Sequence, residues 1–328
     1  MALYNTAGLT SLALHERGLA MATAAPVQPA APRRGIKALL ARHPLVSYFV
    51  MAYAFTWLAA FMPLVLSEDG AGLLSYRWPL GLYATIAIAS FVGPFLSAFI
   101  MTGITEGREG VGRLLRQLVL WRVGFRWFLF ALIGLPAIMV LSVIFLPGAL
   151  ASFQGLATLS PLFLLALFVY VFFLGGPLGE EPGWRGFALP RLQRRYGALV
   201  GSLILGPIWA FWHVPLFWAP AWNLPPTILN IVMFVIAATA FTIVMTWVFN
   251  NTKSSLLIAV LVHTSFDMVL ASLNGLFPTP IVNDYGSNVP ILIGLGVLAL
   301  VLVALTRGRL GYQHYGQEEG PDSAAAPT

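Results

Sequence analysis

No cysteine occurs among the 328 residues of the chain. Thiol catalysis, disulfide frameworks and cysteine-ligated zinc are therefore excluded together. Charge is nearly as scarce. Asp, Glu, Lys and Arg make up 9% of the chain, against about 25% in an average soluble domain. With 59% hydrophobic residues and a mean hydropathy of +0.83, the chain cannot cover itself with polar surface in water. Lipid must be the solvent for most of it. No repeat of fixed period is present either, so neither a solenoid nor a duplicated transporter gains support.

What is present is a series of eight apolar stretches of spanning length, since about 20 helical residues cross the hydrocarbon layer. They are expected near 44–66, 79–104, 127–147, 159–179, 198–219, 226–249, 254–274 and 288–306. All should be helices, because lipid satisfies no backbone hydrogen bonds and the stretches lack the alternation of a barrel. Residues 1–43 carry an Ala/Pro run and then Arg33, Arg34, Lys37 and Arg42, which reads as a disordered basic arm. No apolar core precedes that run, which argues against a cleavable signal peptide. Residues 307–328 read as a disordered tail.

Placing the N-terminus in the cytoplasm puts 17 of the 18 Lys and Arg residues, Arg185 among them, on the cytoplasmic side and leaves only Arg77 outside. The expected architecture is thus an all-α polytopic membrane protein, a bundle of eight transmembrane helices with both termini cytoplasmic. The net charge of +6 is then topological, and no nucleic-acid partner is implied.

Ionisable groups inside a bilayer cost a few kcal/mol each and point to function. Of five histidines, only His213 and His263 fall within spans, and of twelve acidic residues only Asp267 lies squarely in one. Glu180 and Glu181 stand where the fourth span is expected to end. Two adjacent carboxylates cannot both ionise cheaply in a low dielectric. If the segment is helical, Arg185 is four residues from Glu181 and can pair with it, which leaves Glu180 suited to act as a base. Trp209 and His213 share a helical face, as do His263 and Asp267. Each patch alone has an ordinary alternative: an interfacial turn whose charges reach water, a neutral histidine bonded to a carbonyl, a self-contained His–Asp couple. Packing alone gives no reason to place all of them in lipid.

In order, Glu180-Glu181-x-x-x-Arg185, Trp209-x-x-x-His213 and His263-x-x-x-Asp267 resemble the three motifs of the CAAX protease and bacteriocin-processing (CPBP, or Abi) family of intramembrane proteases. The resemblance covers about 160–275, and the eight-span layout agrees with it. It implies a domain over 44–306 that cleaves a peptide or membrane-protein substrate in the bilayer. Glu180 and His213 would activate a water, His263 and Asp267 would stabilise the oxyanion, and Glu181 with Arg185 would support Glu180, beside Trp209. Asp267 stands where the eukaryotic branch has asparagine, and Trp209 where phenylalanine is more usual. No cofactor is implied with certainty; if a divalent metal takes part, Glu180, His213, His263 and Asp267 are the ligand set to consider. The compact size resembles bacterial members, which suggests a bacterial cytoplasmic membrane and gives no reason to assume a prenylated substrate.

Other intramembrane protease chemistries fit less well: the chain has no His-Glu-x-x-His, Gly-x-Gly-Asp or Gly-x-Ser-x-Gly element. Two alternatives use the same residues differently, a proton-coupled transporter with the Glu and His groups as a relay, and a non-catalytic immunity or scaffold protein.

Overall fold

The computed structural model describes residues 35–144, 146–156, 159–277 and 288–312, so most of the two arms lies outside the described residues. Where the arms are described, they are ordered. A short helix, α1 (Ile36–Arg42), ends the basic arm. At the other end Leu310 is fully buried and its carbonyl accepts from Asn250 Nδ2 at 3.1 Å. The expectation of disorder up to residue 43 and from residue 307 is corrected at those positions.

The described residues are helical with no strand. The spans are α2 (Pro44–Leu66), α3 (Leu82–Thr105), α5 (Phe125–Ile144), α6 (Pro161–Leu174) running on into α7 (residues 177–196), α8 (Ala198–Trp212), α9 (Ile228–Asn251), α10 (Leu256–Leu276) and α11 (Asn288–Thr306). Between α3 and α5 lies α4 (Gly107–Leu118), whose basic, polar sequence keeps it out of the hydrocarbon. Among the described residues, seven helical runs are long and apolar enough to cross a membrane. The eighth, α11, has a shorter apolar part, Leu292–Thr306. The protein is a multi-pass integral membrane protein, as its composition requires.

The fourth span departs from expectation. Apolar character fades near residue 179, but the helix does not end there. It breaks at Gly175 and Gly176, where Gly176 takes φ +118, a conformation closed to most side chains. It then restarts at Pro177 and continues to Tyr196, so α7 runs for roughly 30 Å. Arg194 and Arg195 lie at its far end, and Glu180 and Glu181 sit deep within the bundle rather than at its edge. Arg185 is also buried, so it is not one of the loop charges. Removing Arg185 leaves 17 of the 18 Lys and Arg residues for the count of flanking charge.

Close backbone approach seats α7. A Cβ on Gly179 would lie 2.7 Å from Ser90 Cβ and 2.9 Å from the Ser90 carbonyl carbon on α3, so only glycine fits that crossing. The same helix is pinned at its far end by Arg191, which pairs with Glu106 and donates to the Phe187 carbonyl at 2.8 Å. Gly179→Ala is therefore expected to destabilise the fold by about 1–3 kcal/mol. Thermal unfolding in detergent measures this, and a wild-type midpoint would contradict the packing described.

Candidate active site

The three sequence patches meet. Trp209 stands at their centre on α8. Its indole Nε1 donates to Glu180 Oε2 at 2.7 Å, and its carbonyl accepts from His213 Nδ1 at 3.0 Å. Its ring lies 5.5 Å from the His263 ring and 5.1 Å beneath the Arg185 guanidinium carbon. Glu180, Glu181, Arg185, His213 and His263 are all buried. Asp267 is the least covered member of the set, its side chain 27% exposed.

Glu181 is the most heavily committed group. Its Oε1 accepts from Arg185 Nη1 at 3.1 Å and from His263 Nδ1 at 2.7 Å, with all three side chains essentially out of solvent. Pro182 does not prevent the Glu181–Arg185 pair. It opens a π-helical stretch, Pro182–Ala188, through which the helix continues and the four-residue spacing still brings the charges together. The bond from Glu181 to His263 crosses from α7 to α10. It replaces the expected His263–Asp267 couple, whose Nε2–Oδ2 separation is 3.8 Å, beyond hydrogen-bond reach.

His213 owes its tautomer to the way α8 ends. Its backbone N–H bonds three residues back to the Ala210 carbonyl at 3.0 Å, not four back to Trp209. The Trp209 carbonyl is thereby released and receives the imidazole. A carbonyl can only accept, so Nδ1 carries a proton, and the ring in its neutral form presents Nε2 as an acceptor. Aromatic rings exclude water around it: Trp212 at 4.6 Å, Phe234 at 5.5 Å and Trp222 stacked at 6.0 Å.

Glu180 has one oxygen engaged and one nearly free. Oε2 takes the Trp209 indole, while Oε1 has only a 3.4 Å contact with Ser90 Oγ. That hydroxyl has a single proton and a better acceptor in the Ile86 carbonyl at 2.8 Å. The two acceptors, Oε1 and Nε2, thus belong to side chains that are both bonded to Trp209.

Among the described residues, no group of three or more His, Asp and Glu side chains gathers into a site that could hold a metal ion. Nδ1 of each histidine is already bonded elsewhere. Nε2 of each ring is left for a further partner.

Several contributors carried no sequence signal. Ser90 lies on α3. Tyr48, on α2, is fully buried with a hydroxyl that has no hydrogen-bond partner among the described residues. It lies over Gly183, where a Cβ would be 2.2 Å from that oxygen. Hydroxyls and tyrosines are common in spans, and nothing local distinguishes these two. Trp209 is legible in the sequence as a face-mate of His213 and as the aromatic of the second motif; its N–H toward Glu180 is not. Asn230, in the sixth span, is half-buried and its Nδ2 donates to the Pro225 carbonyl at 3.0 Å, a structural role at the start of α9.

Comparison with known proteins finds similarity over the same stretch of chain. The family model described as Rce1-like, type II CAAX prenyl endopeptidase, matches residues 160–269, the stretch that carries all three patches. A protein described as CAAX prenyl protease 2 from Methanococcus maripaludis is 25% identical over 228 residues, covering 66% of this chain and 80% of that relative. Both findings bear out the resemblance carried by the motifs.

Removing one partner of the buried ion pair leaves an uncompensated charge, so Arg185→Met is expected to destabilise the protein by about 3–5 kcal/mol. Arg185→Lys should recover part of the loss. Thermal unfolding of both variants checks this, and an unchanged midpoint for Arg185→Met would show that the pair is not formed.

Proposed function

We propose that this Rce1-like chain is an intramembrane endopeptidase in which Glu180 and His213 together activate a water for attack on a peptide bond. The observation that carries the reading is the shared attachment of both residues to Trp209, which leaves Glu180 Oε1 and His213 Nε2 as acceptors in one water-poor cluster. A water that gives its two hydrogens to these two acceptors keeps a lone pair for the scissile carbonyl carbon. As the new carbon–oxygen bond forms, Glu180 takes a proton. When the tetrahedral intermediate collapses and the carbon–nitrogen bond breaks, Glu180 returns that proton to the leaving amine.

The oxyanion falls to His263 and Asp267. With Nδ1 donating to Glu181, an imidazolium at His263 has Nε2–H left to offer, in a site whose dipoles are already oriented. Asp267, carrying a proton, supplies the donor that asparagine supplies in the eukaryotic branch. Glu181 and Arg185 hold His263 and stay clear of the bond-making steps. Both termini are assigned to the cytoplasm from the distribution of the flanking basic residues, and the substrate is a peptide or a membrane-protein segment within the bilayer.

Screening a peptide library with the protein reconstituted in liposomes tests the reading. Cleavage by wild type is expected to fall at least about a hundredfold in both Glu180→Gln and His213→Ala, with folding retained. Asp267→Asn should keep most of the activity, and EDTA should leave the rate unchanged. Cleavage that survives Glu180→Gln would remove the assigned base. pH-driven solute uptake without any cleavage would favour a transporter instead.

A further inference from the structure

We infer that Trp57, with Tyr53 one turn before it on α2, is a positioning residue for His213, acting through the backbone at the end of α8. This rests on the role proposed above for His213, but its geometry can be tested independently.

The last turn of a helix leaves carbonyls without partners, and α8 ends in a way that exposes two beside the site. The His213 N–H turns to Ala210, which frees the Trp209 carbonyl. The Leu216 N–H turns to the His213 carbonyl at 2.9 Å, so it does not reach four residues back to Trp212. His213 Nδ1 takes the first released carbonyl. Trp57 Nε1 takes the second, donating to the Trp212 carbonyl at 3.0 Å. Within the same stretch, the Tyr53 hydroxyl donates to the Ile208 carbonyl. Two donors from the first span thus hold the backbone on either side of the Trp209 carbonyl that orients the imidazole.

Packing keeps the clamp in register. The Tyr53 and Trp57 rings lie 5.3 Å apart, and Phe61, one turn further, meets the fully buried Trp212 ring at 5.0 Å. Trp57 also opens a π-helical stretch, Trp57–Phe61, an irregularity that alters which α2 side chains face α8. Lipid offers no substitute donor for a carbonyl in this position. Without the indole N–H, the three-residue turn at His213 loses the contact that favours it over a regular α-helical turn. A regular turn would return the His213 N–H to the Trp209 carbonyl and displace the side chain from it. Trp57 touches no reacting atom in this scheme; it sets where Nε2 points.

Trp57→Phe, which keeps the ring and removes the donor, is the variant to make, with Tyr53→Phe as a second in case the first does not fold. In Trp57→Phe, kcat on a cleaved peptide should fall at least about tenfold while KM stays within about twofold, since displacement of a catalytic group by about 1 Å suffices for larger losses. Nitrogen-15 spectra of histidine-labelled protein in nanodiscs give a readout that needs no substrate. Wild type should hold His213 in the Nδ1–H tautomer, and either variant should mix in the Nε2–H form. Wild-type kcat with an unmixed tautomer in the variants would overturn the assignment. If wild type cleaves nothing, the endopeptidase reading fails, and the spectra still decide the role of Trp57.

Discussion

Hydrocarbon does not solvate charge, and the interior of this bundle is organised around that constraint. Glu181 is wholly buried, and one of its oxygens binds both a guanidinium and an imidazole from a different helix. Arg185 in turn lies over the Trp209 ring, and the same indole donates to Glu180. Each polar group is held by the next, so three helices that could otherwise slide on apolar surfaces have a single register. Removing any one link exposes a charge or donor that nothing nearby can compensate, which is why such networks specify position more strongly than they add stability.

Regular helices would not build this site. Three departures from the α-helical repeat bring it together: the break at Gly175 and Gly176, the π-helical stretch at Pro182–Ala188, and the tightened end of α8. The first lets a second helical run begin deep in the bundle, the second carries the Glu181–Arg185 pair past a proline, and the third releases the carbonyl that orients His213. Further π-helical stretches at Trp57–Phe61 and Phe91–Phe95 lie on the helices that pack against these points. Single π turns inside α-helices recur at functional positions because they re-aim side chains without ending the helix.

Much of this was legible in the residue order. The first span was expected at 44–66 and runs Pro44–Leu66; the sixth, expected at 226–249, runs Ile228–Asn251. Hydropathy suffices there because lipid demands long uninterrupted helices. The four-residue spacings of Glu181–Arg185 and Trp209–His213 were equally readable, because residues one turn apart stay neighbours even through a π-helical stretch or a tightened helix end. The fourth span was misplaced because apolar character fades at Gly179, and a polar helical run buried among other helices looks locally like a loop. Bonds between helices, such as Glu181 to His263, Trp209 to Glu180 and Trp57 to the Trp212 carbonyl, leave no trace in spacing. They depend on how helices cross, and a single chain records that only in scattered glycines such as Gly179.

The depth at which Glu180, His213 and His263 are covered also bears on what can be cut. Helical segments inside a bilayer keep every carbonyl bonded to its own backbone and wrapped by side chains. If Glu180 and His213 act on a scissile carbonyl as proposed, that carbonyl can reach them only after those bonds are surrendered. On that proposal, selection among substrates turns on how readily a segment unwinds near the bilayer, through glycine, proline or a free end, more than on the side chains flanking the bond.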